Sequence, residues 1–163
     1  MSRPVLVKHI MTTHVVTFFE EQTLPLAEDV MRFKHIRHLP VVDDIGRLVG
    51  LVTHRDLLRA QISSLAGLSE EERRARQADV LVSQVMTRDV WTVRCDTLAS
   101  TAGSLLLDHG YGCLPVADGG HRLVGIVTAH DYLKFAIKSL RMNDPEAHVR
   151  ATTQGSALLR LVA

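Results

Sequence analysis

RLVGLVTHRDLL, from Arg47 to Leu58, is read again seventy-five positions on as RLVGIVTAHDYL, from Arg122 to Leu133. The match continues upstream. Leu39-Pro40-Val41 with Asp43 has its counterpart in Leu114-Pro115-Val116 with Asp118, and Met11-Thr12 with Val15 and Thr17 in Met86-Thr87 with Val90 and Thr92. A repeat of this length, present twice, marks an internal duplication of two half-units sharing one core. The 163 residues suffice for one domain, whereas a half of about 55 to 60 residues is marginal in surface-to-volume terms. Packing the copies face to face removes that deficit.

Each copy alternates patterns in the order strand, helix, strand, strand, helix. In the first, Val15 to Phe18 reads as a short strand, Leu24 to about Lys34 as a helix, and Leu39 to Val42 and Leu48 to Val52 as a hairpin around Asp43-Asp44-Ile45-Gly46, after which Thr53 opens a helix. The second copy repeats this as Val90 to Val93, Leu98 to Leu107, Cys113 to Val116, Leu123 to Val127 and a helix from Asp131. Counted from Leu24 and Leu98, the copies differ by one residue ahead of the hairpin, to be absorbed near Gly110 and Gly112, with Gly110 as a helix C-cap. Between the copies, Ser69 and Glu72 form a capping-box pattern ahead of a charged helix, so residues 63–79 read as a helical linker. Residues 142–163 read as a weakly patterned, partly mobile tail.

Nineteen basic residues nearly balance eighteen acidic ones. That argues against a nucleic-acid partner, which would need a basic footprint. No apolar run approaches the roughly 18 residues that a membrane span needs, and the start lacks a secretory signal. The expectation is a soluble cytoplasmic protein. Cys95 and Cys113 form no CxxC pair and read as plain reduced thiols.

A β-α-β-β-α unit in tandem, with an LPVVD-like hairpin start and a Gly-apolar-apolar-Thr-x-x-Asp ending, resembles the CBS (cystathionine β-synthase) domain. The resemblance covers residues 5–62 and 80–141 and implies a CBS pair, or Bateman module. The implied fold is α+β, with the two repeats packed as a pseudo-twofold pair and two clefts between them. It also implies that the clefts take an adenosine-containing ligand such as AMP, ADP, ATP or S-adenosylmethionine, and that the chain is a regulatory sensor, not an enzyme. With no effector domain fused, the regulated partner would be a separate, unidentified protein, and the module itself a homodimer. The alternative is a ligand-independent oligomerisation scaffold with vestigial clefts.

Candidate site residues follow from chemistry and resemblance together. Thr53 and Asp56, with Thr128 and Asp131, stand at strand-to-helix junctions, where unpaired helix N–H groups can face an anion. A carboxylate can accept both hydroxyls of a ribose, the role the resemblance assigns to Asp56 and Asp131; Arg55 and His130 match a position that reaches phosphate. Thr-x-x-Asp before an apolar helix is equally an N-capping pattern. Arg37 and His38 match phosphate-binding cations, Arg offering a planar fork of donors; otherwise they are solvated loop residues. The second copy carries Tyr111-Gly112-Cys113 there, so the clefts should be unequal. Ile36 and the strand around Val15 to Thr17 are candidates to flank adenine, and Thr92, Pro40 and Pro115 complete the set.

Other chemistries lack carriers. His35-x-x-His38 has a spacing that could chelate, yet no carboxylate or Cys stands nearby at ligand spacing, so no metal site is expected. His54-Arg55-Asp56 spells a kinase triplet without the Gly-rich loop or the Asp-Phe-Gly that kinase chemistry needs. For the homodimer, the helices offer more apolar residues than one core needs, Val30, Met31, Leu105 and Leu106 among them.

Overall fold

The computed structural model describes residues 3–62, 69, 71–72, 75 and 78–143. Each copy contributes a helix, an antiparallel hairpin and a second helix. In the first these are α1 (Leu24–Lys34), β1 (His38–Val42), β2 (Leu48–Thr53) and α2 (His54–Ile62); in the second, α3 (Ala99–His109), β3 (Cys113–Ala117), β4 (Leu123–Thr128) and α4 (Ala129–Asn143). A 3₁₀ turn precedes each set, at Val7–His9 and Val82–Gln84. This is the α+β duplication expected. Most of the linker, and nearly all of the tail, lie outside the described residues, although Ser69 and Glu72 do cap reciprocally, N–H to Oε2 at 2.8 Å and N–H to Oγ at 3.2 Å.

The expected one-residue difference between copies is absent. Both first helices have eleven residues and begin seventy-five positions apart, at Leu24 and Ala99, so the small Ala99 stands where the large Leu24 does, and Leu98 precedes its helix. Both end in a left-handed residue, His35 (φ 53°) and Gly110 (φ 64°). The next N–H reaches back to the last turn, Ile36 to Met31 and Tyr111 to Leu106, each at 3.0 Å, which is a Schellman ending. Gly110 suits it; His35 adopts the same geometry at a steric cost of roughly 1–2 kcal/mol. The later helices start at His54 and Ala129, with Thr53 and Thr128 closing their strands.

The expected strands at Val15–Phe18 and Val90–Val93 shrink to single parallel bridges, Phe18 to Val41 and Val93 to Val116. Two prolines explain this. Phe18 donates to Pro40 O and accepts from Val42 N–H, at 2.9 and 2.8 Å, and Val93 does the same with Pro115 and Ala117. Extending either ladder by one step needs an N–H from Pro40 or Pro115, which have none.

The copies exchange their leading segments. Val82 and Met86 pack into the first copy's core of Phe18, Leu24, Met31, Leu39 and Val52, while Val7 packs into the second with Val93, Leu106, Leu114 and Val127. Fully burying a valine contributes about 1.5–3 kcal/mol, so each copy is stabilised by the other's leader. The repeated glycine serves this exchange. A Cβ on Gly50 would lie 2.5 Å from Met86 Sδ, and one on Gly125 would lie 2.9 Å from Met11 Sδ. Leu51, Ile126 and Cys113, with Val15 and Val90, fill the seam between the copies. Met31 and Leu106 are buried, and Val30 and Leu105 pack against their own cores, so these four are not spare apolar surface. The exposed residues are others, including Phe33 (79%), Leu107 (83%) and Leu140 (67%).

Candidate functional site

Hairpin register builds the site. Pairing of β1 with β2 sets His38 opposite Thr53, and His54 N–H donates to Arg37 O at 2.9 Å. Arg37, His38 and the first turn of α2 therefore share one edge. There Thr53 and Asp56 hold each other: Asp56 Oδ2 accepts from Thr53 N–H at 2.8 Å and Oγ1–H at 2.7 Å, and Asp56 N–H reaches Thr53 Oγ1 at 3.4 Å. Thr128 and Asp131 repeat these three bonds. The capping reading thus holds in both copies; what remains for a ligand is the other carboxylate oxygen.

A cavity of about 670 Å³ opens on this edge, within the usual range for small-molecule sites. It gathers eight of the expected residues: Arg37, His38, Thr53, Arg55 and Asp56 from the first copy, and Tyr111, Gly112 and Cys113 from the second. Arg37-His38 and Gly112-Cys113 thus also face each other as two walls of one cavity. Gly112 is the close neighbour of His38, whose imidazole would collide with any Cβ there. Thr17, Ile36, Pro40, Thr92, Pro115, Thr128, His130 and Asp131 do not line this cavity. Pro40 and Pro115 are fully buried in their hairpins, and Ile36 packs against the first core.

Sequence reading missed Arg59, Thr87, Asp89 and Trp91, all of which line the cavity. Arg59 was legible, because it follows Arg55 by four residues and shares its helix face. Trp91, the sole tryptophan, takes the place expected for Ile36 and Thr17 as the apolar wall. His109 stacks between Trp91 and Tyr111, with ring centroids 5.6 and 5.1 Å away. Because Pro115 lacks an N–H, the Trp91 carbonyl has no ladder donor.

The electrostatics favour an anion beside a neutral group. Arg37, Arg55 and Arg59 have no ion-pair partner among the described residues. Burial lowers the pKa of His38 below its ordinary 6.5, and the guanidinium groups of Arg37 and Arg55 lower it further, so His38 is a neutral imidazole at pH 7. Burial pushes the Cys113 thiol up to about 12, which keeps it protonated and unreactive. The two acids differ. Asp56 is partly exposed, and its Oδ1 has no partner among the described residues; Asp131 is 6% exposed and its Oδ1 accepts the Thr12 hydroxyl at 3.1 Å.

The CBS domain family model matches residues 7–63 and 82–138, and the chain belongs to that family as a CBS pair. A CBS domain-containing protein of Dictyostelium discoideum is 34% identical over 143 residues, which cover 88% of this chain and 99% of that protein. The structure of CBSX2 in complex with AMP, a protein of Arabidopsis thaliana, aligns with TM-score 0.71 and 28% identity over 83% of this chain and 98% of its own. The CBS pair of protein MJ0100, in complex with 5′-methylthioadenosine and S-adenosyl-L-methionine, aligns with TM-score 0.68 and 26% identity, covering 84% and 99%. The chain also matches several homoserine O-acetyltransferases, of whose length it spans only 21 to 24%. Among the described residues, no helix is long and apolar enough to cross a membrane.

Proposed function

We propose that the chain is a non-catalytic sensor that binds an adenosine-containing ligand in the Asp56 cavity and signals its level to a separate protein in the cytoplasm. The observation that carries this reading is the joining, in one cavity with an aromatic wall, of a half-open carboxylate and three arginines that have no ion-pair partner among the described residues. In this reading Asp56 Oδ1 accepts the ribose hydroxyls, the base lies against Trp91 and Tyr111, and its amino group donates to the Trp91 carbonyl. Arg37, Arg55 and Arg59 then meet phosphates. The AMP and S-adenosyl-L-methionine bound by the two structural relatives support this ligand class. A homodimer completes the reading, a second copy covering the exposed Phe33, Leu107 and Leu140.

A thermal-shift panel of AMP, ADP, ATP, S-adenosylmethionine and NAD, with guanine nucleotides as controls, tests the reading. A ligand at 100 times its Kd stabilises by about 2.7 kcal/mol. If no adenosyl compound raises the melting temperature, the chain is a ligand-independent scaffold.

A further inference from the structure

The two Thr-x-x-Asp caps share every internal bond and part at one contact. Thr12 and Thr87 occupy equivalent places in the exchanged leaders, each held by a pair of 2.9 Å backbone bonds, Thr12 to Ile126 and Thr87 to Leu51. The Thr12 hydroxyl donates to Asp131 Oδ1 at 3.1 Å across 119 positions. Thr87 lines the cavity, and among the described residues the Asp56 carboxylate accepts from Thr53 alone. Burial follows this difference, since Asp131 is the one buried charged residue among those described, whereas Asp56 stays partly open.

We propose that the Thr12 hydroxyl is a latch that holds a second adenosyl site closed at Asp131; this rests on the ligand class proposed above. The latch takes one of the two lone pairs on Oδ1, and Oδ2 of Asp131 is already committed to Thr128, so the pair of ribose hydroxyls cannot both be accepted while it is closed. Thr12 is exposed, so turning its side chain outward moves the hydroxyl into water. The backbone pairing with Ile126 meanwhile keeps the leader in place. The protein therefore takes one ligand at low concentration and a second only when ligand competes with the latch.

Calorimetric titration of the whole protein with ATP, AMP and S-adenosylmethionine, each separately, decides the matter. Wild type should show one strong event and a second at least about tenfold weaker, as expected when a hydrogen bond to a charged acceptor must first be broken. Thr12→Val, and Thr12→Ala as a second way of removing the hydroxyl, should tighten the second event about tenfold or more and leave the first unchanged. Thr12→Ser, which keeps the hydroxyl, should follow wild type. Two equal sites in wild type, or a second event unaltered in both Thr12→Val and Thr12→Ala, overturn the latch and leave the function standing. Absence of binding by any of the proteins overturns both.

Discussion

Replacing Asp56 separates its capping of α2 from its proposed ligand contact, because the two use different oxygens of one carboxylate. Oδ2 caps α2 through Thr53 N–H and Oγ1 at 2.8 and 2.7 Å, while Oδ1 has no partner among the described residues and Asp56 lines the cavity. Asp56→Ala deletes both. Loss of the cap costs about 1 kcal/mol, which for a chain of this size lowers the melting temperature by roughly 2–4 °C. Each ribose hydroxyl bonded to the charged oxygen contributes about 1.5–3 kcal/mol, so losing even one weakens binding about tenfold or more. Asp56→Asn is the discriminating variant. Its amide oxygen can still accept from Thr53, so stability should stay near wild type, yet its NH₂ replaces the acceptor and the charge, so affinity should fall nearly as far as in the alanine variant. Melting curves and calorimetry on the same samples read both quantities. If Asp56→Ala melts a few degrees lower and both variants bind AMP, ATP and S-adenosylmethionine as wild type does, Asp56 is a cap only and the reasoning about Oδ1 fails.

Three further outcomes are expected. Burial and the neighbouring arginines place the folded pKa of His38 below 6.5, so the unfolded chain takes up this proton first as pH falls; stability from this group is complete above about pH 6.5 and declines as pH drops towards the folded value. Denaturation at pH 7.5 and 5.5 should show that slope reduced in His38→Gln, and an identical slope in the variant removes His38 as its source. Gly50→Ala forces a Cβ to 2.5 Å from Met86 Sδ and 3.1 Å from the Thr87 carbonyl, which should destabilise by about 1–3 kcal/mol; an unchanged melting temperature contradicts the seating of the exchanged leader. Light scattering at micromolar concentration should give a dimer that Phe33→Asp or Leu107→Asp dissociates into folded monomers, whereas a wild-type monomer sinks the homodimer.

The duplication made the fold legible, since every element could be read twice. Misreadings arose where one copy tempted a local alignment. Leu98 was matched to Leu24 because both are large and apolar, although the constant offset of seventy-five pairs Leu24 with Ala99. The flanking strands were overread because Val, Thr and Phe favour strands, while the obstruction to pairing lies in the partner strand, at Pro40 and Pro115. The site was legible on the first copy's wall, where Arg37, His38, Thr53, Arg55 and Asp56 are close in sequence or joined by the hairpin. Its opposite wall was legible only in part, at Tyr111, Gly112 and Cys113. Thr87 reaches the cavity because the copies exchange leaders, and Trp91 because it stacks through His109 beside Tyr111; neither residue's local sequence carries that fact.

Equal backbones with unequal side chains determine what this pair can sense. Thr53 and Thr128, and Asp56 and Asp131, keep one capping geometry in both copies, so capping cannot distinguish the sites. Ligand chemistry must reside where equivalent positions differ: Arg37 against Gly112, His38 against Cys113, Arg55 against His130, and Val16 against Trp91. Three of the four put an arginine or, in His38 against Cys113, the one imidazole of that pair on the Asp56 side, with His130 as the weaker counterpart of Arg55, and the fourth puts the large aromatic on the facing wall of the same cavity. Guanidinium stays charged at any physiological pH, whereas the neutral His38 is the one cationic candidate in this group that burial has discharged. A phosphate entering beside His38 would favour its protonated form, since a nearby opposite charge raises the pKa of a base. Binding of a phosphorylated ligand should therefore take up a proton and strengthen as pH falls below about 6.5, while a sulfonium ligand, which brings no phosphate, should show no such uptake. Calorimetry in buffers of different ionisation enthalpy counts that proton. Equal uptake for ATP and S-adenosylmethionine, or uptake that persists in His38→Gln, would show that the phosphates lie elsewhere.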